Sequence, residues 1–124
     1  MAQSLKGSGR AFQTLVKAER ELKEYFSGKR KKFSVPLNAQ GTAFQKSVWN
    51  QLSKIPYGET VSYRDIAIKI KNKKAVRAVG TANGKNPFCI IIPCHRVIAA
   101  DGSLGGYSGG IQFKKKLLAL ETGG

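Results

Sequence analysis

Apolar side chains recur at Phe12, Leu15, Val16, Leu22 and Phe26, with Glu19, Arg20, Lys23 and Glu24 between them. That spacing predicts a helix over 11–26 with an apolar side facing inward and its charges opposite. Gly28 is the expected stop. The basic run Lys29-Arg30-Lys31-Lys32 beside the helix end reads as a solvated cap rather than a site, and 33–40 as an extended linker around Pro36.

The second half is more sharply punctuated. Thr42 with Gln45 three residues on predicts a capping box, opening a helix whose inner positions are Phe44, Val48, Leu52 and Ile55. Pro56-Tyr57-Gly58 predicts a turn, and Ser62 with Asp65 a second cap before a short helix carrying Ile66, Ala67 and Ile70. Asn72 is the expected cap of a third helix, with Ala75, Val76, Val79 and Ala82 inside and Gly84 beyond it. Two short helices joined by a tight turn suggest a helix-turn-helix. The apolar run Phe88-Cys89-Ile90-Ile91-Ile92, ended by Pro93, predicts a buried strand. The five glycines of 102–110 predict a closely approaching loop, and Phe113, Leu117, Leu118 and Leu120 a last helix closing near Glu121. These elements divide the chain into an N-terminal helix and linker, 1–40, and a second domain, 41–124.

Charge changes the picture. Twenty-two Lys and Arg against seven Asp and Glu leave +15 in 124 residues, an excess that favours a polyanionic partner, nucleic acid before membrane. No acid stands between Asp65 and Asp101, while Lys69, Lys71, Lys73, Lys74, Arg77, Lys85 and Arg96 all fall there. The small residues Ala75, Ala78, Gly80, Ala82 and Gly84 suit a helix lying against a duplex and suit close helix packing equally. No stretch reaches the roughly 20 apolar residues of a membrane span, and no signal-peptide core opens the chain. A location in the cytoplasm, or in a nucleus, with reduced thiols is therefore expected. His95 is the single histidine, too few of the usual ligands for zinc, so no metal is expected.

Pro93-Cys94-His95-Arg96 puts a thiol where the run 88–92 stops. It reads as an activated nucleophile or as a small buried hydrophobe, and adjacency to His95 does not decide, because neighbours on a regular strand face opposite sides. On such a strand Cys89 and Cys94 also face apart and cannot pair.

Ile92-Pro93-Cys94-His95-Arg96-Val97 resembles the active-site signature of the O6-alkylguanine-DNA alkyltransferase family. Ala75-Val76-Arg77-Ala78-Val79-Gly80 resembles its recognition helix, Asn86-Pro87 its hinge, and Tyr107-Ser108-Gly109-Gly110 its substrate loop. Ile55-Pro56-Tyr57-Gly58-Glu59-Thr60 with Ser62-Tyr63 resembles its first turn and second helix, so the likeness runs from Gly41 to Glu121. It implies an α/β fold: a mostly helical, winged-helix-like DNA-binding domain preceded by a reduced N-terminal segment. It implies Cys94 as nucleophile, His95 as base through a water and Glu121 orienting the imidazole. It places Tyr63, Val97, Tyr107 and Ser108 at the substrate, Arg77, Ala78, Thr81, Lys74 and Arg96 on DNA, and Asn86 as a structural hinge. The implied partner is duplex DNA carrying O6-alkylguanine, bound by a monomer without a cofactor. The rivals are a binding-only lesion recogniser, which lacks the cysteine, and a helix-turn-helix transcription factor with a structural thiol.

Overall fold

Both expected caps form, each as a capping box. Thr42 Oγ1 accepts from the Gln45 amide at 3.1 Å while Gln45 Oε1 accepts from the Thr42 amide at 2.9 Å. Ser62 Oγ and the Asp65 amide pair at 3.0 Å, and Asp65 Oδ2 accepts from the Ser62 amide at 2.9 Å. Each cap satisfies orphan helix donors and contributes about 1 kcal/mol.

The structure, a computed structural model, describes residues 9–105, 107 and 110–123. It divides into two units between Asn38 and Ala39. In the first, α1 spans Gly9–Phe26. Its periodicity is helical as expected, but the buried side differs. Phe12, Leu15, Val16 and Phe26 are about half exposed, while Glu21 and Tyr25 are fully buried. The reason is the following segment. Glu21 accepts from the amides of Ser34 and Val35 at 2.9 and 3.1 Å, and Tyr25 stacks on Phe33 with centroids 5.6 Å apart. Residues 33–35 thus cover the polar flank rather than the apolar stripe. Arg30, from the basic run, donates to Glu24 at 2.8 Å and lies 3.4 Å from Glu21.

The second unit holds α2 (Ala43–Leu52), β1 (Val61–Ser62), α3 (Tyr63–Lys69), α4 (Val76–Gly84), a 3-10 turn (Cys94–Arg96), β2 (Val97–Ile98) and α5 (Ile111–Thr122). Helices α2, α3 and α4 pack around Val48, Trp49, Leu52, Ile66, Ala67 and Val79, with Ile92, Cys94 and Val97 in the same core. The Trp49 indole spans the bundle, donating to the Ala82 carbonyl at 2.8 Å. Strands β1 and β2 pair in parallel, Val61 with Val97 and Ser62 with Ile98, which brings the start of α3 beside the 3-10 turn. The fold is that of a mostly helical domain with a helix-turn-helix, α3 and α4, and a minimal sheet. No helix among the described residues is long and apolar enough to cross a membrane.

Three local expectations are corrected. Asn72 does not cap α4; the N-cap is Ala75, without a side-chain bond, and the Asn72 carbonyl instead accepts from the Ala75 amide at 2.9 Å. Residues 88–92 form no strand. They close into a turn, with the Ile92 amide donating to the Phe88 carbonyl at 2.9 Å and Ile90 at φ 78°. The turn forms because Asn86 grips both ends, accepting from the Phe88 amide at 2.9 Å and donating to the Ile92 carbonyl at 2.7 Å. Such a clamp outweighs the strand preference of an isoleucine run. The last helix buries Lys114, Leu117 and Glu121, whereas Phe113 is 36% exposed.

Candidate functional site

Pro93 ends the Asn86-clamped turn, and the chain coils through Cys94, His95 and Arg96 in one 3-10 turn with all three side chains buried. Coiling rather than extension keeps neighbours from alternating, so the premise that separated the two cysteines fails. The sulfurs of Cys94 and Cys89 lie 4.0 Å apart.

His95 Nε2 donates to Glu121 Oε2 at 2.6 Å. A carboxylate can only accept, so in the neutral imidazole this bond assigns the proton to Nε2 and the lone pair to Nδ1. Nδ1 is buried and has no hydrogen-bond partner among the described residues. No hydrogen bond joins His95 to Cys94.

Glu121 also holds Arg96. The guanidinium donates from Nε to Oε1 and from Nη2 to Oε2, both at 2.8 Å, and from Nη1 to the Ile55 carbonyl at 2.7 Å. The Gly58 amide, in the turn after Pro56 with φ 82°, adds a fourth donor to the carboxylate at 3.2 Å. Arg96 was expected on DNA; at 6% exposure, with its donors committed inward and Tyr57 under its plane at 5.6 Å, it is a buried structural cation instead.

Tyr63 opens α3 half-buried beneath the loop, where a Cβ on Gly105 (φ 70°) would come within 3.0 Å of its hydroxyl. Burial, then the neighbouring Cys94, raises its phenol pKa, and burial with both thiols raises that of Tyr107. Both remain hydrogen-bond donors. Val97, expected at the substrate, is fully buried, and its carbonyl accepts from Lys114. Ser108 lies outside the described residues. Lys74, Arg77, Ala78 and Thr81 are exposed together at and along α4. Asn86 lies just past that helix, joined by Asn83, whose amide donates to the Cys94 carbonyl at 3.4 Å.

Lys114 was missed. It is fully buried, donates to the carbonyls of Val97, at 2.7 Å, and Leu104, and lies 6.0 Å from the Tyr63 ring centre. Burial lowers its pKa, and Cys94 opposes that shift. Its signal was a cation at the i, i+3, i+7 spacing shared with Leu117 and Glu121.

Burial is also the main influence on Cys94. It pushes the Cys94 thiol up to about 11, the Asn86 amide opposing and Cys89 reinforcing. The sequence left open whether the thiol is activated or simply buried; a site this enclosed favours the neutral thiol. The sign follows. The fold prefers the protonated form, so this contribution to stability is complete below the ordinary thiol range and fades as pH climbs toward about 11. In the DNA-free Cys89→Ser variant, which keeps the burial but loses the Cys89 contribution, carbamidomethylation of Cys94 by iodoacetamide should keep accelerating beyond about pH 9, followed by mass spectrometry. A rate that levels off by about pH 9, as for an ordinary thiol, contradicts this picture.

Comparison with known proteins places this geometry. The family described as 6-O-methylguanine DNA methyltransferase, DNA binding domain, matches residues 43–123. A methylated-DNA–protein-cysteine methyltransferase of Methanosarcina acetivorans is 58% identical over 104 residues, 84% of this chain and 67% of that protein. The crystal structure of Mycobacterium tuberculosis OGT in complex with DNA superposes with a TM-score of 0.86 at 53% identity, covering 87% of this chain and 67% of that one. Schizosaccharomyces pombe Atl1, in complex with damaged DNA containing O6-carboxymethylguanine, is similar at 29% identity and a TM-score of 0.58, covering 67% and 79%. The chain spans about two thirds of the length of the curated relatives it matches. With its helix-turn-helix and its Pro93-Cys94-His95-Arg96 turn inside the matched region, the chain belongs to the 6-O-methylguanine DNA methyltransferase family.

Proposed function

We propose that the chain repairs duplex DNA by moving the alkyl group of O6-alkylguanine, and less readily of O4-alkylthymine, irreversibly onto Cys94. The observation that carries this reading is the buried thiol beside an imidazole whose Nε2 is held by Glu121. At neutral pH such a thiol is protonated, so reaction requires a base. His95 Nδ1 takes the Cys94 proton through a water. The thiolate then attacks the alkyl carbon, an S–C bond forms, the C–O6 bond breaks, and its electron pair leaves with guanine. Tyr63 donates a hydrogen bond to the departing ring, and the loop at Tyr107 and Ser108 faces O6, so donors meet charge as it develops. Glu121 orients the imidazole, in the manner of acid–His–nucleophile relays.

The base must leave the stack to reach a sulfur this enclosed. Arg77 fills the vacated space, while Ala78, Thr81 and Lys74 meet the backbone beside it, with Asn86 coupling α4 to the active-site turn. No cofactor takes part, and the protein works where the DNA is, in the cytoplasm or in a nucleus. Atl1, solved in complex with damaged DNA, leaves lesion binding alone as the rival reading; Cys94, which binding alone does not need, argues against it.

One experiment separates them. Mixed with excess duplex carrying O6-methylguanine, the protein should gain a single methyl, mapped by mass spectrometry to Cys94, and then stop. Repeated turnover, binding without mass gain, or a methyl on Cys89 alone would each overturn the reading.

A further inference from the structure

The transfer chemistry leaves Cys89 unused, although its sulfur lies 4.0 Å from the nucleophile. Cys94 is 1% exposed, whereas Cys89 is only half-buried. The chain between them folds back on itself. The Cys94 amide donates to the Ile92 carbonyl at 2.8 Å, and Cys89 pairs with Ile92 across an isolated bridge. A disulfide needs sulfurs about 2.05 Å apart, so the remaining approach is about 2 Å, within reach of side-chain rotation.

We propose that Cys89 and Cys94 form an oxidation site at which a hydroperoxide converts the pair into an intramolecular disulfide, reversibly masking the nucleophile. The more accessible Cys89 loses its proton and its thiolate attacks the peroxide O–O bond, giving a sulfenic acid while the other oxygen takes up that proton and leaves as water or an alcohol. Cys94 then displaces hydroxide from that sulfur, the S–S bond forms, and the Cys94 proton leaves with the hydroxide as a second water. Two thiols are oxidised by two electrons and the peroxide is reduced by two. The disulfide stops oxidation short of the sulfinic and sulfonic acids, which thiol reductants do not reverse. Cys89 therefore shields a residue that acts once and cannot be replaced. The masking of activity rests on the proposed transfer function; the disulfide itself does not.

The test uses the full chain with hydrogen peroxide. An untreated aliquot is first assayed for methyl transfer, and a treated one is thiol-blocked and weighed intact. The treated protein should be lighter by about 2 Da, with 89 and 94 linked in one peptide. It should lose transfer and regain it with dithiothreitol. Cys89→Ser should transfer normally before treatment. After peroxide it should show no such loss of mass, gain about 32 Da at Cys94 as the sulfinic acid, and stay inactive in dithiothreitol. The proposal is overturned if Cys94 is oxidised without the link, if neither thiol reacts, or if both proteins lose and regain transfer alike. Should untreated protein transfer nothing, the functional reading fails while the masses still decide the disulfide.

Discussion

Replacing Glu121 with alanine should lower the stability of the second unit by about 3–5 kcal/mol, the usual cost of removing one partner from a buried ion pair. The carboxylate accepts from His95, twice from Arg96 and from the Gly58 amide, and it is 7% exposed. Its loss strands a guanidinium that is itself 6% exposed. For a domain of this size each 1 kcal/mol moves Tm by roughly 4–8 °C, so thermal unfolding should fall by well over ten degrees. Glu121→Gln keeps one carbonyl acceptor and much of the shape. It should fold, yet transfer about 10²-fold more slowly, the lower end of what a positioned base contributes. Scanning calorimetry and single-turnover kinetics check both. An alanine variant melting within about 1 kcal/mol of the parent would show that Arg96 finds another partner.

The second large effect is expected at Asn86. The side chain is 6% exposed and both its polar atoms are spent, on the Phe88 amide and the Ile92 carbonyl. Asn86→Ala leaves both groups unpaired, at about 1–3 kcal/mol each when buried. The more telling readout is kinetic. This clamp sets the turn that ends at Pro93 and aims Cys94, and a displacement near 1 Å in an active site costs on the order of 10²-fold in rate. Transfer from duplex and from the free base O6-benzylguanine should slow together, because aim rather than base extrusion is lost. If only the duplex reaction slowed, Asn86 would act through α4 on DNA rather than on the thiol.

What could be read in advance followed the range of the interactions. The starts of α2 and α3 were legible because Thr42–Gln45 and Ser62–Asp65 close over three residues. The turn at 88–92 was not, because the chain's preference there is for a strand and a clamp from outside the run overrides it. The same misreading hid the closeness of Cys89 to Cys94. Arg96 looked like one cation of a basic stretch; only a carboxylate 25 residues away in sequence shows that it is internal. Lys114 was masked by the apolar residues beside it, Phe113, Leu117 and Leu118. In α1 the helical period was plain, but which side is buried depends on Glu21 meeting Ser34 and Val35, a partnership no spacing encodes. The roles proposed for Cys94, His95 and Glu121 came from resemblance, since nothing local links His95 to Glu121.

The bonds to Glu121 also bear on the order in which the chain folds. The caps of α2 and α3 close almost at once along the sequence, whereas Gly58 and Glu121 are 63 residues apart, Arg96 and Ile55 41, and His95 and Glu121 26. Loops this long cost more entropy to close, and their contacts are rewarded only after shorter ones exist. The helix-turn-helix is thus poised to form early, with the imidazole oriented only when α5 docks. On the proposed reading, a chain emerging from the ribosome would present its DNA-binding helices before its sulfur had a working base, so an unfinished molecule could touch DNA without spending its one reaction.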